Sequence, residues 1–412
     1  MPGEQRPGGL HRLDARALPP APTAFATAVL PCFRDRQIIP SGGHERFRGV
    51  GHELAINVQC PRETLDDYVG LLAREAALLR ARLSAPLPVV SLWLRGSPSR
   101  QFSPEAVTEL IFRLNAQFPL SSTDAVRGLE LPAAAINPER LALLAGLGFN
   151  RVALRIDATL GSDERSLGRL HDLQRQLTDF PAIELQYEVR FGSRSHPRYL
   201  SRLLAALRSS PAAAIELVDP DQENPRPLAE RLESGQLLKL AVAEMTAAGW
   251  AAFGNHIFVP ADSALAGDRC RDTLHLTPWG PQPLLGRLWL GLGVGAFGYL
   301  HPCYYRTTPR AESYRQALEA MQLPDKELYG MPGECLPTQH LCRALLCSQR
   351  LPPAADPELH SALAEQQWIQ AESGRLTTAG IIQLAAIIHD LHLRSDRGED
   401  HAQFHTSDHH GA

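Results

Sequence analysis

Apolar residues recur with two different periods between residues 52 and 218 of this chain. Leu54, Ile56 and Val58 alternate with small or polar residues, which predicts a strand with one face on a core. The stretch 65–83 has apolar residues three and four apart, which predicts an amphipathic helix. Further strands are predicted at 88–94, 128–131, 151–156, 183–189 and 213–218, and further helices from 103 onward and at 137–147, 167–177, 197–208 and 228–249.

The order of these elements indicates the fold class. A strand followed by a helix occurs six times, with connections long enough to join neighbouring parallel strands. In a barrel, the helices need to cover only the outer face of the sheet, so we predict an α/β fold with a partial (β/α)6 TIM-like barrel. Residues 250–259 and 290–298 are predicted to add further strand and loop.

The last third of the chain has a different pattern. Helices are predicted at 312–321, 337–348 and 357–366, followed by a hairpin turning at Ser373-Gly374 and a helix ending at His392. This order predicts a C-terminal helical, winged-helix-like domain. The predicted division is an irregular N-terminal arm (1–50), the barrel and its extension (51–300), the helical domain (301–393) and a disordered tail (394–412).

The composition excludes several classes of function. Hydrophobic residues make up 44% of the chain, charged residues 21%, and the formal net charge is −4. Without a basic stripe, neither nucleic acid nor a membrane surface is an expected partner. No apolar run is long enough to insert into a membrane, and the N-terminus lacks the apolar segment of a signal peptide, so we expect a cytoplasmic protein.

Cysteine spacing also narrows the chemistry. None of the seven cysteines forms a Cys-x-x-Cys pair, so neither a zinc knuckle nor a thioredoxin motif is predicted. Cys60 directly follows the first strand, at the end of a barrel strand where loops usually carry the chemistry. Thr64 and Asp67 resemble a capping box, so we predict that a helix begins at Thr64 after a loop of barely three residues.

Several sequence blocks together resemble one family, the radical SAM proteins of the oxygen-independent coproporphyrinogen III oxidase group. Within that group the resemblance is to the heme-utilisation radical SAM proteins. Residues 312–391 are similar to the family's C-terminal domain. The blocks that carry the resemblance are Thr23-Ala-Phe-Ala-Thr27, Leu129-Glu-Leu131, Asn137-Pro-Glu-Arg-Leu141, Gly148-Phe-Asn-Arg-Val-Ala-Leu-Arg-Ile156, Leu167-Gly-Arg-Leu-His171, Ala248-Gly-Trp250, Gly254-Asn-His256 and Leu290-Gly-Leu-Gly-Val-Gly-Ala296.

The resemblance implies a barrel of radical SAM type, but the first loop departs from the family pattern. Active members place Cys-x3-Cys-x2-Cys there, and the three thiolates hold a 4Fe–4S cluster whose remaining iron binds SAM. Here only Cys60 matches that pattern. We therefore expect neither a 4Fe–4S cluster nor a metal site, while residual SAM binding stays open.

The resemblance also implies positions that would hold SAM. The family's glycine-rich loop after the second strand becomes Arg95-Gly-Ser-Pro98, so Arg95 could fill part of the old site. Alternatively, Glu130 and Glu188 could be barrel-interior carboxylates that pair with Arg155 or Arg190, since buried charges need partners. The cofactor-binding candidates at the barrel mouth are Cys60, Gly96, Ser97, Glu130, Asp157, Arg169 and Glu188.

A second set of candidates follows the barrel strands. Asn255 and His256 lie just beyond a predicted strand, and a histidine there could ligate heme iron or bind a propionate. The alternative is a hydrogen-bonded loop histidine. Tyr304, Tyr305 and Arg306 could bind a tetrapyrrole carboxylate or belong to a packed surface.

Three functions follow as hypotheses. The first is a pseudoenzyme of radical SAM fold that binds heme or a porphyrin, or partners an active homologue or a heme-handling protein, in heme utilisation. The second is a coproporphyrinogen III oxidase-like enzyme, an oxidoreductase or methyltransferase acting on a tetrapyrrole. The third is an interaction scaffold without a ligand.

Overall fold

The structure is a computed structural model. It describes residues 37–39, 53–61, 63–83, 86–96, 98–120, 125–158, 164–210, 212–219, 228–254, 256–270, 274–277, 280–283, 287–300, 303–329, 341–353 and 355–396. These residues form fifteen strands and eleven α-helices. The strands are β1 (Gln37–Ile39), β2 (Glu53–Cys60), β3 (Val89–Gly96), β4 (Val126–Pro132), β5 (Arg151–Asp157), β6 (Glu184–Arg190), β7 (Ala212–Val218), β8 (Ala251–Phe253), β9 (Ile257–Val259), β10 (Leu274–Thr277), β11 (Gly280–Pro283), β12 (Arg287–Leu292), β13 (Phe297–Leu300), β14 (Cys303–Thr307) and β15 (Lys326–Tyr329). The helices are α1 (Tyr68–Arg80), α2 (Pro98–Gln101), α3 (Pro104–Gln117), α4 (Pro138–Gly146), α5 (Glu164–Leu177), α6 (Pro197–Arg208), α7 (Leu228–Ala247), α8 (Ala264–Cys270), α9 (Ala311–Glu319), α10 (Pro357–Glu365) and α11 (Thr378–Asp396).

The strands confirm the predicted α/β architecture. A 13-stranded sheet has the order β1-β15-β14-β13-β12-β2-β3-β4-β5-β6-β7-β9-β8. Strands β2 to β7 lie side by side in chain order and are parallel, and β12 is parallel to β2 on the other side. The sheet ends at β1 and β8 instead of closing, so the barrel is partial.

The two faces of the parallel strands differ in polarity. On β2, Leu54, Ile56 and Val58 are fully buried in the core that includes Leu71 and Leu72 of α1. Because alternate side chains point to opposite faces of a strand, the remaining positions face the barrel interior. The polar and aromatic interior residues include Asn57, Trp93, Arg95, Glu130, Arg155, Gln186, Glu188 and Glu216.

Local sequence signals account for several helix ends. The side chain of Asn137 accepts a hydrogen bond from the Arg140 amide at 2.8 Å, which caps α4. Ser103 caps α3 in the same way, with Pro104 at the first helical position. Gly148, with φ of 77°, lies in the left-handed region just after α4, where glycine is favoured.

The predicted start of the first helix is wrong. Helix α1 begins at Tyr68 instead of Thr64, and its preceding residue, Asp67, makes no side-chain capping bond. Asp67 has φ of 49°, a left-handed conformation that a capping box does not use. The loop after β2 therefore covers residues 61–67 and is longer than predicted.

The glycine-rich segment between β12 and β13 is held by a buried polar group. Glu75 of α1 is fully buried, and its Oε2 accepts hydrogen bonds from the Gly293 amide and the Tyr314 hydroxyl, both at 2.7 Å. Gly293 has φ of 104°, and a Cβ there would lie 2.3 Å from the Tyr68 hydroxyl. The glycine thus allows the backbone to approach a neighbouring side chain closely.

The C-terminal helical arrangement also matches the prediction. Between α10 and α11, an isolated bridge pairs Ile369 with Leu376, and a second bridge pairs Arg375 with Arg350, which precedes α10; these bridges form a small wing. Residues 344–348 form a π-helical turn, and the Leu346 carbonyl accepts a hydrogen bond from the Gly254 amide at 2.9 Å. The N-terminal arm apart from β1, residues 337–340 and the tail beyond 396 lie outside the described residues.

Candidate functional site

The carboxyl ends of β3 and β4 are joined by a buried ion pair. Arg95 Nη1 lies 2.8 Å from Glu130 Oε1, and the Gly96 amide donates to Glu130 Oε2 at 2.6 Å. The Arg95 guanidinium also lies over the Trp93 ring, 4.2 Å from its centroid. Burial raises the pKa of Glu130, while Arg95 acts in the opposite direction. Arg95 therefore occupies the interior next to Glu130.

Two arginines converge on Glu188 at the next strand ends. Glu188 Oε1 accepts from Arg155 Nε at 3.1 Å and from Arg190 Nε at 2.8 Å. Arg155 also donates from Nη2 to the Gly96 carbonyl at 2.9 Å. The pairing of Glu188 with Arg155 and Arg190 agrees with the ion-pair alternative from the sequence. We call these three residues the Arg–Glu–Arg triad.

Glu216 is an interior residue that the sequence reading missed. It lies opposite Glu188 in the register of β6 and β7, with Ile257 of β9 on its other side. Among the described residues, none forms a hydrogen bond or ion pair with its carboxyl group. Burial, followed by the charge of Glu188, raises the pKa of Glu216 to about 8, so its carboxyl is mostly protonated at neutral pH.

Cys60 is the last residue of β2 and is only 1% exposed. Burial raises the pKa of the Cys60 thiol well above its ordinary value, and Glu130 adds to this effect. A thiol in this state is neutral at physiological pH and is a poor nucleophile or metal ligand.

The donors in the first loop do not fit a 4Fe–4S cluster. Counting from Cys60, the positions that would complete Cys-x3-Cys-x2-Cys are Thr64 and Asp67, both exposed loop residues. Neither offers a thiolate, so the described loop supplies one sulfur where three are needed. Within the described part of the chain, no three histidine, cysteine or acidic residues group together as metal ligands.

An amide from α2 holds the same loop in place. Gln101 Nε2 donates to the carbonyls of Pro61, at 3.0 Å, and of Glu63. Gln101 Oε1 accepts from the Leu65 amide at 3.2 Å. One side chain thus satisfies three backbone groups of the loop. We refer to it below as the Gln101 clamp.

The other candidates at the barrel mouth are placed as follows. The amide and carbonyl of Gly96 are both engaged within the chain, by Glu130 and Arg155. Asp157 ends β5 beside Arg190 of β6 and is partly buried. Ser97 lies outside the described residues, and for Arg169 only the backbone, in α5, is described. The structure therefore brings Gly96, Glu130 and Glu188 together.

His256 lies away from this cluster. Its carbonyl accepts from the Leu217 amide at 2.7 Å, and Leu217 belongs to the core on the opposite face of β7 from Glu216. The ring is next to Gly254 and near Leu346 of the C-terminal segment. The His256 ring is therefore buried against the C-terminal segment. Asn255 lies outside the described residues.

Of the two tyrosines suggested as carboxylate ligands, Tyr305 is also placed elsewhere. Tyr305 is 1% exposed, and its hydroxyl accepts from the Gly291 amide at 3.0 Å. It therefore packs in the interior of the sheet and is not available to a ligand. The Arg306 guanidinium lies 5.3 Å from the Phe297 ring centroid, and the side chain of Tyr304 is not described.

Burial of His256 predicts a pH dependence. Desolvation lowers the pKa of His256 to about 4, below its usual value of 6.5, so the folded state binds fewer protons than the unfolded state between these values. Stability present above pH 6.5 should be lost as the pH falls through about 4. Between pH 7 and pH 4.5, wild type should lose up to about 3 kcal/mol of unfolding free energy that His256→Gln does not lose. Urea unfolding at the two pH values measures the difference.

His171→Gln is the matched control, because His171 is exposed on α5. It should leave the dependence on pH unchanged. Equal pH dependence in wild type and the His256 variant would contradict the burial of a neutral imidazole.

Comparison with known proteins supports the fold. No family model and no curated protein sequence matches the chain. Among solved structures, coproporphyrinogen III oxidase (HemN) from Escherichia coli, described as a radical SAM enzyme, matches with a TM-score of 0.68 and 17% identity. The match covers 86% of this chain and 92% of that one. The chain therefore has a fold of radical SAM type.

None of the helices in the described residues has both the length and the apolar character needed to span a membrane.

Proposed function

We propose that this chain is a pseudoenzyme of radical SAM fold that binds heme or a porphyrin in heme utilisation, alone or beside an active homologue or heme-handling protein. The observation that carries the proposal is the first loop, which offers one buried thiol where a 4Fe–4S cluster needs three. The proposed location is the cytoplasm.

Two features support a tetrapyrrole as the ligand. The chain shares its fold with an enzyme named for coproporphyrinogen. At the mouth of the barrel, Arg155 and Arg190 have side chains 22% and 24% exposed, so ligand carboxylates can reach them. Guanidinium groups bind carboxylates such as propionates in two-pronged geometry.

Anaerobic iron–sulfur reconstitution tests the missing cluster. We expect far less than one iron per chain after desalting, and no thiolate-to-iron charge-transfer absorbance. Coproporphyrinogen III oxidase from Escherichia coli, reconstituted in parallel, is the control for the procedure. About four irons per chain would instead favour the second candidate, a coproporphyrinogen III oxidase-like enzyme, whose support is the fold shared over 86% of the chain.

A heme titration tests the ligand. Heme and iron-free protoporphyrin should each give a saturable shift of the Soret band with about one molecule per chain, and the urea-unfolded chain should give none. SAM is titrated separately by calorimetry, since residual SAM binding is a distinct question. The absence of a saturable shift with either tetrapyrrole would contradict the proposed ligand.

A further inference from the structure

The Arg–Glu–Arg triad has more positive than negative charge. Both guanidiniums donate to the same oxygen of Glu188, and Arg155 Nη2 also lies 3.8 Å from Glu130 Oε2. The neighbouring pair of Arg95 and Glu130 is balanced. Glu216, the next interior carboxyl, is held mostly neutral at pH 7 by its burial. Asp157, at the end of β5, is the remaining acid beside Arg190.

The outer nitrogens of the two guanidiniums are only partly used. In the described part of the chain, Arg190 makes its hydrogen bond through Nε alone, so both of its Nη groups are available. Arg155 uses Nε and Nη2, which leaves Nη1. Glu188 fixes the direction of both side chains, and such fixed guanidiniums lose little entropy when they bind an anion.

We propose that the Arg–Glu–Arg triad is a cradle for a carboxylate group of the ligand, bound two-pronged by the Nη groups of Arg190 and supported by Arg155. The site lies at the carboxyl ends of β5 and β6, where parallel sheets commonly place ligands. The inference rests on the proposed function, because it names the part of the barrel mouth that receives the carboxylate of the tetrapyrrole.

The interior below the triad is occupied by aromatic side chains and by the Arg95–Glu130 pair. Trp93 and Trp289 are 5% and 2% exposed, and the Arg95–Glu130 pair fills the space above Trp93. By contrast, the side chains of the triad are 16–24% exposed. An incoming carboxylate therefore meets the triad first.

The test compares heme with heme dimethyl ester, whose two propionates carry no charge. Wild type should bind heme about 10- to 100-fold more tightly than the ester, the size of a lost hydrogen bond to a charged group. Arg190→Gln should lose this preference, and Arg190→Lys should keep part of it, because it retains the charge but not the fork. Arg113→Gln, a surface arginine on α3, should behave like wild type.

Two outcomes separate this inference from the proposed function. If heme binds but wild type and Arg190→Gln show the same preference, the cradle is wrong and the proposed function stands. If wild type binds no heme, acetate and inorganic phosphate are titrated by calorimetry. Binding by wild type but not by Arg190→Gln then supports an anion cradle for another ligand, and no binding overturns it. Far-ultraviolet circular dichroism establishes that each variant is folded.

Discussion

Replacing Lys326 by methionine should lower the free energy of unfolding by about 3–5 kcal/mol at pH 7, the range for removing one partner of a buried ion pair. Lys326 Nζ lies 3.7 Å from Glu75 Oε1, and the Glu75 side chain has no exposed surface. Without the lysine, the carboxylate remains among Gly293, Tyr314 and apolar side chains. Urea unfolding followed by circular dichroism measures the change.

The double variant Glu75→Gln with Lys326→Met is the control for this prediction. It removes both charges, so it should recover part of the stability that the single variant loses. Burial raises the pKa of Glu75, so the deficit of the single variant should also shrink on acidification, as the carboxyl takes up a proton. A double variant as unstable as the single one would show that packing, not charge, dominates.

Replacing Glu216 by glutamine should stabilise the protein at alkaline pH. Burial raises the pKa of Glu216 to about 8, above its ordinary value of 4.5. The contribution of the protonated carboxyl to the free energy of unfolding is therefore full below pH 4.5 and is lost as the pH rises through about 8. Glutamine has no proton to lose. The variant should therefore gain about 2–5 kcal/mol relative to wild type between pH 4.5 and pH 8.5 in urea unfolding.

An exposed carboxyl provides the comparison for this result. Glu365→Gln, in α10, changes the net charge equally but removes no buried group. Its stability relative to wild type should stay nearly constant over the same pH range. A Glu216 variant that follows this control would mean that Glu216 is ionised and solvated at neutral pH.

Regular elements could be predicted because their signals are local. The alternation of Leu54, Ile56 and Val58 and the caps at Ser103 and Asn137 depend on residues only a few positions apart. The predicted start of α1 was wrong because the local signal was misleading. Thr64 and Asp67 have the right spacing for a capping box, but the backbone of Asp67 turns left-handed and the helix begins after it.

The candidate site was predicted only in part, because its partners meet across strands. Arg155 and Glu188 were identified as a possible pair, whereas Glu130 proved to contact Arg95 most closely. The importance of Glu216 depends on its register opposite Glu188, which lies far away in sequence. A signal for it did exist: a glutamate in an otherwise apolar strand has to face the interior or find a partner.

Because the Gln101 clamp holds the loop after β2, we expect that adding cysteines at positions 64 and 67 would not by itself create a cluster site. A cysteine at position 67 would inherit a left-handed backbone, which costs an ordinary residue about 1–2 kcal/mol. A cysteine at position 64 would stand between backbone groups already bound by Gln101 at Glu63 and Leu65. We therefore expect that a cluster site in this loop would need changes in two separate segments, the loop itself and α2.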